Sequence, residues 1–344
     1  MEFEAAILIS QKQPLVVDKI RHSGQLETGQ VLVELLTSGI CGSQIGEIDG
    51  VKGVDKFIPH LMGHEGCGRV LKIGPGVTTI KEGNKVVLHW KKSLGINSNT
   101  PSYEYNGQKI NAGWVTTFNK YAIVSENRLT NIPEETPNDL AALFGCAITT
   151  GFGVIENNAK LKIGESIVVL GAGGIGLNII QAANLVSGYP IIAVDLYDGR
   201  LKLAKKFGAT HLINSAKTDF VKEIKSIIGD RLNVFVDNTG SPEIIEKGYQ
   251  LINNEGRLVL VGVPQKGKNI NIFSLPLHFG KKISGSFGGE CNPQKDIPRY
   301  LNLMSKGKFS LEGIITERYP LEDINIAISR IRDGSAVGRI LIDF

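Results

Sequence analysis

The chain has 344 residues, 42 % hydrophobic and 21 % charged, with a net charge of +4 and a mean hydropathy of +0.02. That balance suits a soluble protein with room for two ordinary domains. It excludes a nucleic-acid arm, since no Lys/Arg run is long enough to track phosphates. No stretch approaches the roughly 20 apolar residues of a membrane span. Four cysteines (Cys41, Cys67, Cys146, Cys291) are too few and too scattered for a disulfide framework. Reduced thiols, and an N-terminus whose acidic residues precede a short apolar stretch ended by Pro14, predict a cytoplasmic protein without a signal peptide.

Residues 1–150 read as short strands broken by Gly, Pro and Asn: QVLVELLTSGI, GRVLKIG, NKVVLHW and YAIVSEN. Period-2 alternation with frequent turn signals predicts an antiparallel, barrel-like domain. Segment 91–113 is polar and rich in Gly, Asn and Ser, and is expected to project as a loop or lobe. From 151 to 287 apolar strands alternate with helices, beginning with SIVVLGAGGIG and LNIIQAANLVSG. That rhythm predicts an α/β fold with a parallel sheet covered on both faces, and six strands fit a doubly wound sheet. Residues 288–344 end in the strand VGRILIDF, expected to return to the first domain.

Gly171, Gly173 and Gly176 form G-x-G-x-x-G, with Gly174 and Ile175 opening the helix that follows. The pattern alone is weak. Here an apolar strand precedes it, a helix follows, and Asp195 ends the next strand 19 residues after Gly176. The first glycine permits the tight turn, the second a close approach to pyrophosphate, and the third close helix–strand packing. Asp195 is placed to bond the adenosine ribose hydroxyls and repel a 2′-phosphate. Leu196 and Tyr197 follow it, not Arg, so NAD is favoured over NADP. Arg200 either reaches the adenosine ribose or sits on a solvated face.

Cys41, His64 and Cys146 are a ligand set for zinc: two thiols and an imidazole suit a borderline-soft ion, and three protein ligands leave a fourth position open. Each alone reads more simply as a packed residue. His60, four residues before His64, is read as structural because Pro59 and Gly63 argue against a shared helix face. Cys67 and Cys291 are read as plain buried thiols.

The motifs GICGS at Cys41, GHEGCGRV at His64–Glu65, KEGNKVV, and FGCAITTGFG at Cys146 stand in order ahead of GAGGIG, VGVP, GSFGG and VGRILIDF. Together they resemble the zinc-dependent alcohol dehydrogenases of the medium-chain dehydrogenase/reductase superfamily over nearly the whole chain. The resemblance implies a GroES-like barrel catalytic domain (1–150), a Rossmann NAD-binding domain (151–287) and a C-terminal return (288–344), with the active site in the cleft between domains. Cys41, His64 and Cys146 would hold one catalytic zinc, and Glu65 is a carboxylate that can approach it. Ser43 would take the substrate proton, and Thr150 would lie against the nicotinamide. The backbone at Val263, Ser286 and Phe287 would hold the carboxamide. Arg339 would meet the pyrophosphate, unless it is a plain strand-surface arginine. A homodimer or homotetramer acting on a small alcohol or carbonyl compound is implied, with no nucleic-acid or membrane partner.

Three departures from the family stand out. Gln44 replaces an Asp that orients the ligating His; as an amide it accepts an imidazole N–H but does less for ligand basicity. Gly46 stands where a relay His is common, so protons leave Ser43 by water or another group, with His89 and Glu47 as candidates. Between Trp90 and Phe118 no cysteine is present to hold a structural zinc. Trp90 matches a substrate-contacting position or is a core aromatic; Lys91 and Lys92 read as solubilising. The polar 91–113 segment suggests a polyol, sugar-derived or other hydroxylated substrate. The rival readings are a zinc-free double-bond reductase and a catalytically silent NAD-binding protein.

Overall fold

Alternating apolar residues build the first part of the chain into strands, and the computed structural model, which describes residues 1–344, orders them as β1 (Glu2–Leu8), β2 (Val16–Arg21), β3 (Gln30–Gly39), β4 (His60–Leu61), β5 (Glu65–Ile73), β6 (Lys85–His89), β7 (Ser102–Tyr105), β8 (Gln108–Asn111), β9 (Tyr121–Ser125) and β10 (Leu129–Asn131). Helix α1 (Gly42–Ile48) follows β3, and α2 (Asn138–Leu143) follows β10. Strands β1, β2, β7, β8 and β4 close a small barrel. The period of 2 sorts β3 between two cores: Val31, Val33 and Leu35 pack with Val86, Leu88 and Val124, while Leu32 packs against Phe3, Ile20 and Tyr103.

A second unit holds α3 (Ala147–Gly153), a π-helical turn (Val154–Ala159), β11 (Ile167–Leu170), α4 (Gly174–Leu185), β12 (Ile191–Asp195), α5 (Asp198–Lys206), β13 (His211–Asn214), α6 (Phe220–Ile228), β14 (Leu232–Asp237), α7 (Pro242–Leu251), β15 (Ile252–Leu260) and β16 (Lys282–Gly285). Its six strands are parallel in the order β13-β12-β11-β14-β15-β16. This is the predicted doubly wound sheet, with Val168, Ile192, Val194 and Phe235 fully buried beneath its helices. Asp219 caps α6 by accepting the N–H groups of Val221 and Lys222.

The chain then returns to the first unit through α8 (Pro293–Ser305), β17 (Ile315–Pro320), α9 (Ile324–Arg332) and β18 (Arg339–Asp343). Strand β18 pairs antiparallel with β3 in the larger sheet β10-β6-β5-β3-β18-β17. The units comprise Met1–Cys146, Asn292–Lys306 and Ile315–Phe344 on one side, and Ala147–Cys291 and Gly307–Ile314 on the other. The changeovers thus fall a few residues from the expected 150 and 287, and a short stretch at 307–314 belongs to the second unit.

Segment 91–113 differs from the projecting lobe expected of it. Its second half is the β7–β8 hairpin that closes the barrel. The hairpin turns on Asn106 (φ 50°) and Gly107 (φ 75°), and Asn-Gly is the preferred pair for such a two-residue turn. Its first half is pinned to Glu126. This fully buried carboxylate accepts the N–H groups of Thr78 (2.7 Å), Thr79 (2.8 Å) and Ile96 (2.7 Å) and the Thr79 hydroxyl (2.9 Å). Ser125 Oγ accepts the Ser98 N–H at 2.9 Å, and the Trp114 indole donates to the Ser98 carbonyl at 3.0 Å. The segment is thus tied to the fold at Ile96, Ser98 and Trp114, while most of its polar side chains, Lys92, Asn97, Asn99 and Lys109 among them, stay exposed.

Burial pushes the Glu126 carboxyl up, but the N–H groups of Ile96, Thr79 and Thr78 and the Thr79 hydroxyl outweigh it and hold the carboxyl below its ordinary value of 4.5. A depressed folded pKa contributes stability that is present above the unfolded value and lost as pH falls through the folded one. Glu126→Ala should cost about 3 kcal/mol or more in denaturant unfolding, since several buried N–H groups lose their acceptor. Glu126→Gln should flatten the acid limb of stability below pH 4.5; an unchanged limb would remove this carboxylate from the account.

Candidate functional site

Strand β3 delivers Cys41 to the N-cap of α1, β5 begins one residue after His64, and Cys146 follows α2. Because β3 and β5 are antiparallel with Ser38 opposite Gly66, the end of one strand lies beside the start of the other. The ligand atoms of Cys41, His64 and Cys146 lie within 4.8 Å of one another. Nε2 of His64 is buried with no hydrogen-bond partner, an orphaned acceptor of the kind a metal satisfies. The Cys41 thiol is held well below its usual range, chiefly by the hydrogen bond with Cys146, against the effect of burial; His64 and the charge of Arg339 add to the lowering. A thiolate-prone sulfur, a second thiol and a bare imidazole nitrogen fit a zinc ion.

Beneath this cluster lies a buried ion pair. Glu65 is fully inaccessible, and Arg339, the first residue of β18, contacts it while only 5 % exposed. Burial lowers the Arg339 pKa, and the neighbouring Cys41 opposes that. Arg339, expected on a pyrophosphate or on a strand surface, is thus a buried partner of Glu65.

Two sequence readings change. Gln44 does not support His64: its Oε1 accepts the Cys41 backbone N–H at 2.7 Å, closing the first turn of α1, and its Nε2 is buried and unpartnered. His89 is not placed to carry protons. Its Nδ1 bonds the Lys91 carbonyl at 2.7 Å, its Nε2 meets the Thr130 hydroxyl at 3.0 Å, and burial lowers its pKa to about 4. The ring is neutral and fully engaged. Ser43 is half-buried in the first turn of α1, and Glu47, one turn further on, turns its carboxylate toward His60.

In the second unit the glycine fingerprint stands between β11 and α4. Gly176 packs so closely that a Cβ there would lie 2.0 Å from the Gly171 carbonyl oxygen, so no other residue fits. Gly173 caps α4 and faces open space, leaving its backbone approachable, and half-buried Gly174 and Ile175 begin the helix. Asp195 closes β12; Oδ2 accepts the Ala172 N–H at 2.8 Å and Oδ1 accepts that of Tyr197 at 3.0 Å. Arg200 stacks on Tyr197, 4.8 Å from the ring centroid, with its guanidinium 3.9 Å from Asp195. Thr150 is buried in α3 with an unpartnered hydroxyl. Val263 and Phe287 are exposed; Ser286 donates its N–H to the Leu260 carbonyl at 2.8 Å and accepts the Gly289 N–H on Oγ at 3.0 Å.

The sequence reading missed Asn238, whose amide donates to the carbonyls of Leu170 and Gly171, both at 3.2 Å, fixing the glycine turn. Asp237 holds the loop that carries Asn238 through the N–H groups of Thr239 and Gly240. The run DNTG after an apolar strand was the available signal, because Asp and Asn bond their own turns.

Comparison with known proteins agrees with this geometry. Residues 27–134 match the alcohol dehydrogenase GroES-like domain, and residues 174–306 match the zinc-binding dehydrogenase family. Benzyl alcohol dehydrogenase from Acinetobacter calcoaceticus superposes with a TM-score of 0.90 at 30 % identity, over 100 % of this chain and 99 % of that one. An alcohol dehydrogenase zinc-binding domain protein from Burkholderia ambifaria gives 0.91 at 27 % identity, over 100 % and 99 %. S-(hydroxymethyl)glutathione dehydrogenase of Paracoccus denitrificans is 29 % identical over 99 % of this chain and all of its own length.

The buried pair gives a direct test. Glu65→Leu alone should destabilise the chain by about 3–5 kcal/mol, because it strands the Arg339 charge. Glu65→Leu with Arg339→Leu should recover part of that loss in the same unfolding measurement. Equal losses in the single and double variants would show that the two charges are not coupled.

Proposed function

The chain belongs to the zinc-dependent alcohol dehydrogenases of the medium-chain dehydrogenase/reductase superfamily and carries out nicotinamide-linked alcohol oxidoreduction; from that premise we propose that it uses NAD, one catalytic zinc per subunit, and an alcohol with an aromatic or apolar substituent. The observation that carries the zinc reading is the convergence of Cys41, His64 and Cys146 within 4.8 Å beside a buried, unpartnered His64 Nε2. When bound, zinc supplies Lewis acidity toward the alcohol or carbonyl oxygen, and NAD accepts the hydride.

The side chains supply the rest. Arg339 favours the ionised Cys41 sulfur, and Glu65 balances the buried guanidinium. Ser43 Oγ, two residues after Cys41 and half-exposed, receives the substrate proton and passes it to water, since Gly46 offers no imidazole and the His89 ring is engaged elsewhere. With NAD bound, Thr150 would serve the nicotinamide, the backbone at Val263, Ser286 and Phe287 would hold the carboxamide, and Arg339, the partner of Glu65, would serve the pyrophosphate only on release from that carboxylate. The preference for NAD rests on the Asp195 carboxylate at the end of β12, held in place by two N–H groups, whose charge opposes a 2′-phosphate.

A single zinc is supported by Glu126, whose hydrogen bond from the Ile96 N–H anchors the 91–99 stretch where no cysteine stands. The polyol reading rests on the polarity of 91–113, whose second half is the barrel-closing β7–β8 hairpin. Trp90 stands one residue beyond the Glu65↔His89 pair, at the metal end of β5 and β6, and argues for an aromatic or apolar substrate. Homodimer or homotetramer assembly is supported by β16, a mostly exposed edge strand that invites pairing, and by the exposed Phe273 and Phe279 that precede it in sequence. The four buried free cysteines support a reducing cytoplasm, and no helix is long and apolar enough to cross a membrane.

A panel of benzylic, aliphatic and polyol alcohols with NAD and NADP, followed by reduced-nicotinamide absorbance, should give highest kcat/KM for aromatic or apolar alcohols with NAD. Asp195→Ala should cut the NAD preference by tenfold or more. Cys146→Ala should lose zinc and turnover while keeping NAD affinity. Alcohol turnover that survives complete zinc removal would contradict the zinc reading.

A further inference from the structure

A second cluster of ligand-type side chains lies in the first unit, outside the Cys41 site. Nε2 of His60 stands 2.8 Å from Asp55 Oδ2 and 3.7 Å from Glu47 Oε1, and the three residues' ligand atoms lie within 4.8 Å of one another. The histidine is the buried member, its side chain 9 % exposed; that of Asp55 is 11 % and that of Glu47 45 % exposed.

The imidazole's other nitrogen sets its chemistry, independently of the carboxylates. His60 Nδ1 lies 2.9 Å from the Leu61 carbonyl, which only accepts, so Nδ1 carries the proton. Nε2 then faces two carboxylates that also only accept. A lone pair there would be repelled, so Nε2 needs either a second proton or a cation. A proton serves Asp55 but leaves Glu47 beyond hydrogen-bond range at 3.7 Å. A divalent cation serves both carboxylates and the lone pair together. An Nδ1–H held by a backbone carbonyl with Nε2 directed at an ion is a recurrent arrangement of ligating histidines.

The surrounding chain fixes this geometry. Gln11 Oε1 accepts the Asp55 N–H at 3.1 Å, and its Nε2 donates to the carbonyls of Gly53 at 3.0 Å and Glu47 at 3.4 Å. Asp55 Oδ1 is taken by the Phe57 N–H at 2.8 Å, which turns Oδ2 toward the ring. Ligands about 2.0–2.2 Å from a tetrahedral ion stand roughly 3.4 Å apart. The two separations of 2.8 and 3.7 Å bracket that value, so small side-chain shifts complete the site.

We infer that Glu47, Asp55 and His60 form a second divalent-cation site, separate from the Cys41 centre and selective for zinc-like ions. One imidazole and two carboxylates suit Zn²⁺ or Co²⁺; Ca²⁺ and Mg²⁺ seek more oxygen ligands. Glu47, on the exposed rim, gives the ion its path in. The bound ion fastens the loop at Asp55 and the strand at His60 to α1, the helix that Cys41 caps.

The test is equilibrium dialysis of the zinc-loaded chain against Zn²⁺ or Co²⁺ near pH 7.5, with metal analysis of the retained protein. Wild type should retain a second equivalent, and Cys146→Ala should keep it while losing the first, which separates this inference from the catalytic reading. His60→Gln should lose the second equivalent alone, and Asp55→Asn should weaken it by tenfold or more. Should either buried substitution fail to fold, Glu47→Gln, on the exposed rim, still decides the matter through an expected weakening of about tenfold. One equivalent only in wild type would overturn the inference. So would a second equivalent indifferent to all three substitutions, which would mark binding elsewhere on the surface.

Discussion

Strand β3 is the constraint on which the metal site depends. It pairs with β5 through Ser38 and Gly66, with β9 along its first half, and with β18 through Gly39 and Leu341. Antiparallel pairing puts the end of β3 beside the start of β5 and the start of β18. Cys41, His64 and Arg339 are far apart in sequence, yet this register collects them at one sheet end. A slip of one residue would turn every β3 side chain to the opposite face and separate the ligands. The apolar alternation of Val31, Val33 and Leu35 resists that slip, so core packing and ligand geometry rest on the same residues.

Charge is arranged around that register. Two neighbouring sulfurs would repel each other if both ionised without compensation. Arg339 contributes positive potential at Cys41, and Glu65 keeps the guanidinium from standing as a lone buried charge. Breaking such a pair is costly even where its net contribution to stability is small. Its value here lies in holding a polar site inside an otherwise apolar sheet.

The parts legible in the sequence were those whose chemistry is local. The glycine turn, Asp195 and the alternating strand–helix rhythm each follow from spacing along the chain, and the ligand set followed from residue type together with resemblance. The β7–β8 hairpin was legible too, in Asn106–Gly107 between SYEY and QKIN, but the polarity of its surroundings masked it. Gln44, His89 and Arg339 were not legible. Each role depends on a partner that only folding supplies: the Cys41 N–H, the Lys91 carbonyl with the Thr130 hydroxyl, and the Glu65 carboxylate. Glu126 was hidden for the same reason, since the N–H groups it gathers lie 30 to 48 residues away in sequence.

The most direct test of the account is X-ray absorption at the zinc edge of the purified chain holding one equivalent of metal. The predicted first shell has two sulfur ligands near about 2.3 Å and nitrogen or oxygen ligands near about 2.0–2.1 Å, the signature of Cys41, Cys146 and His64 with one open position. A shell of four sulfurs, or one without sulfur, would contradict the claim that the β3–β5–β18 register builds a catalytic zinc site.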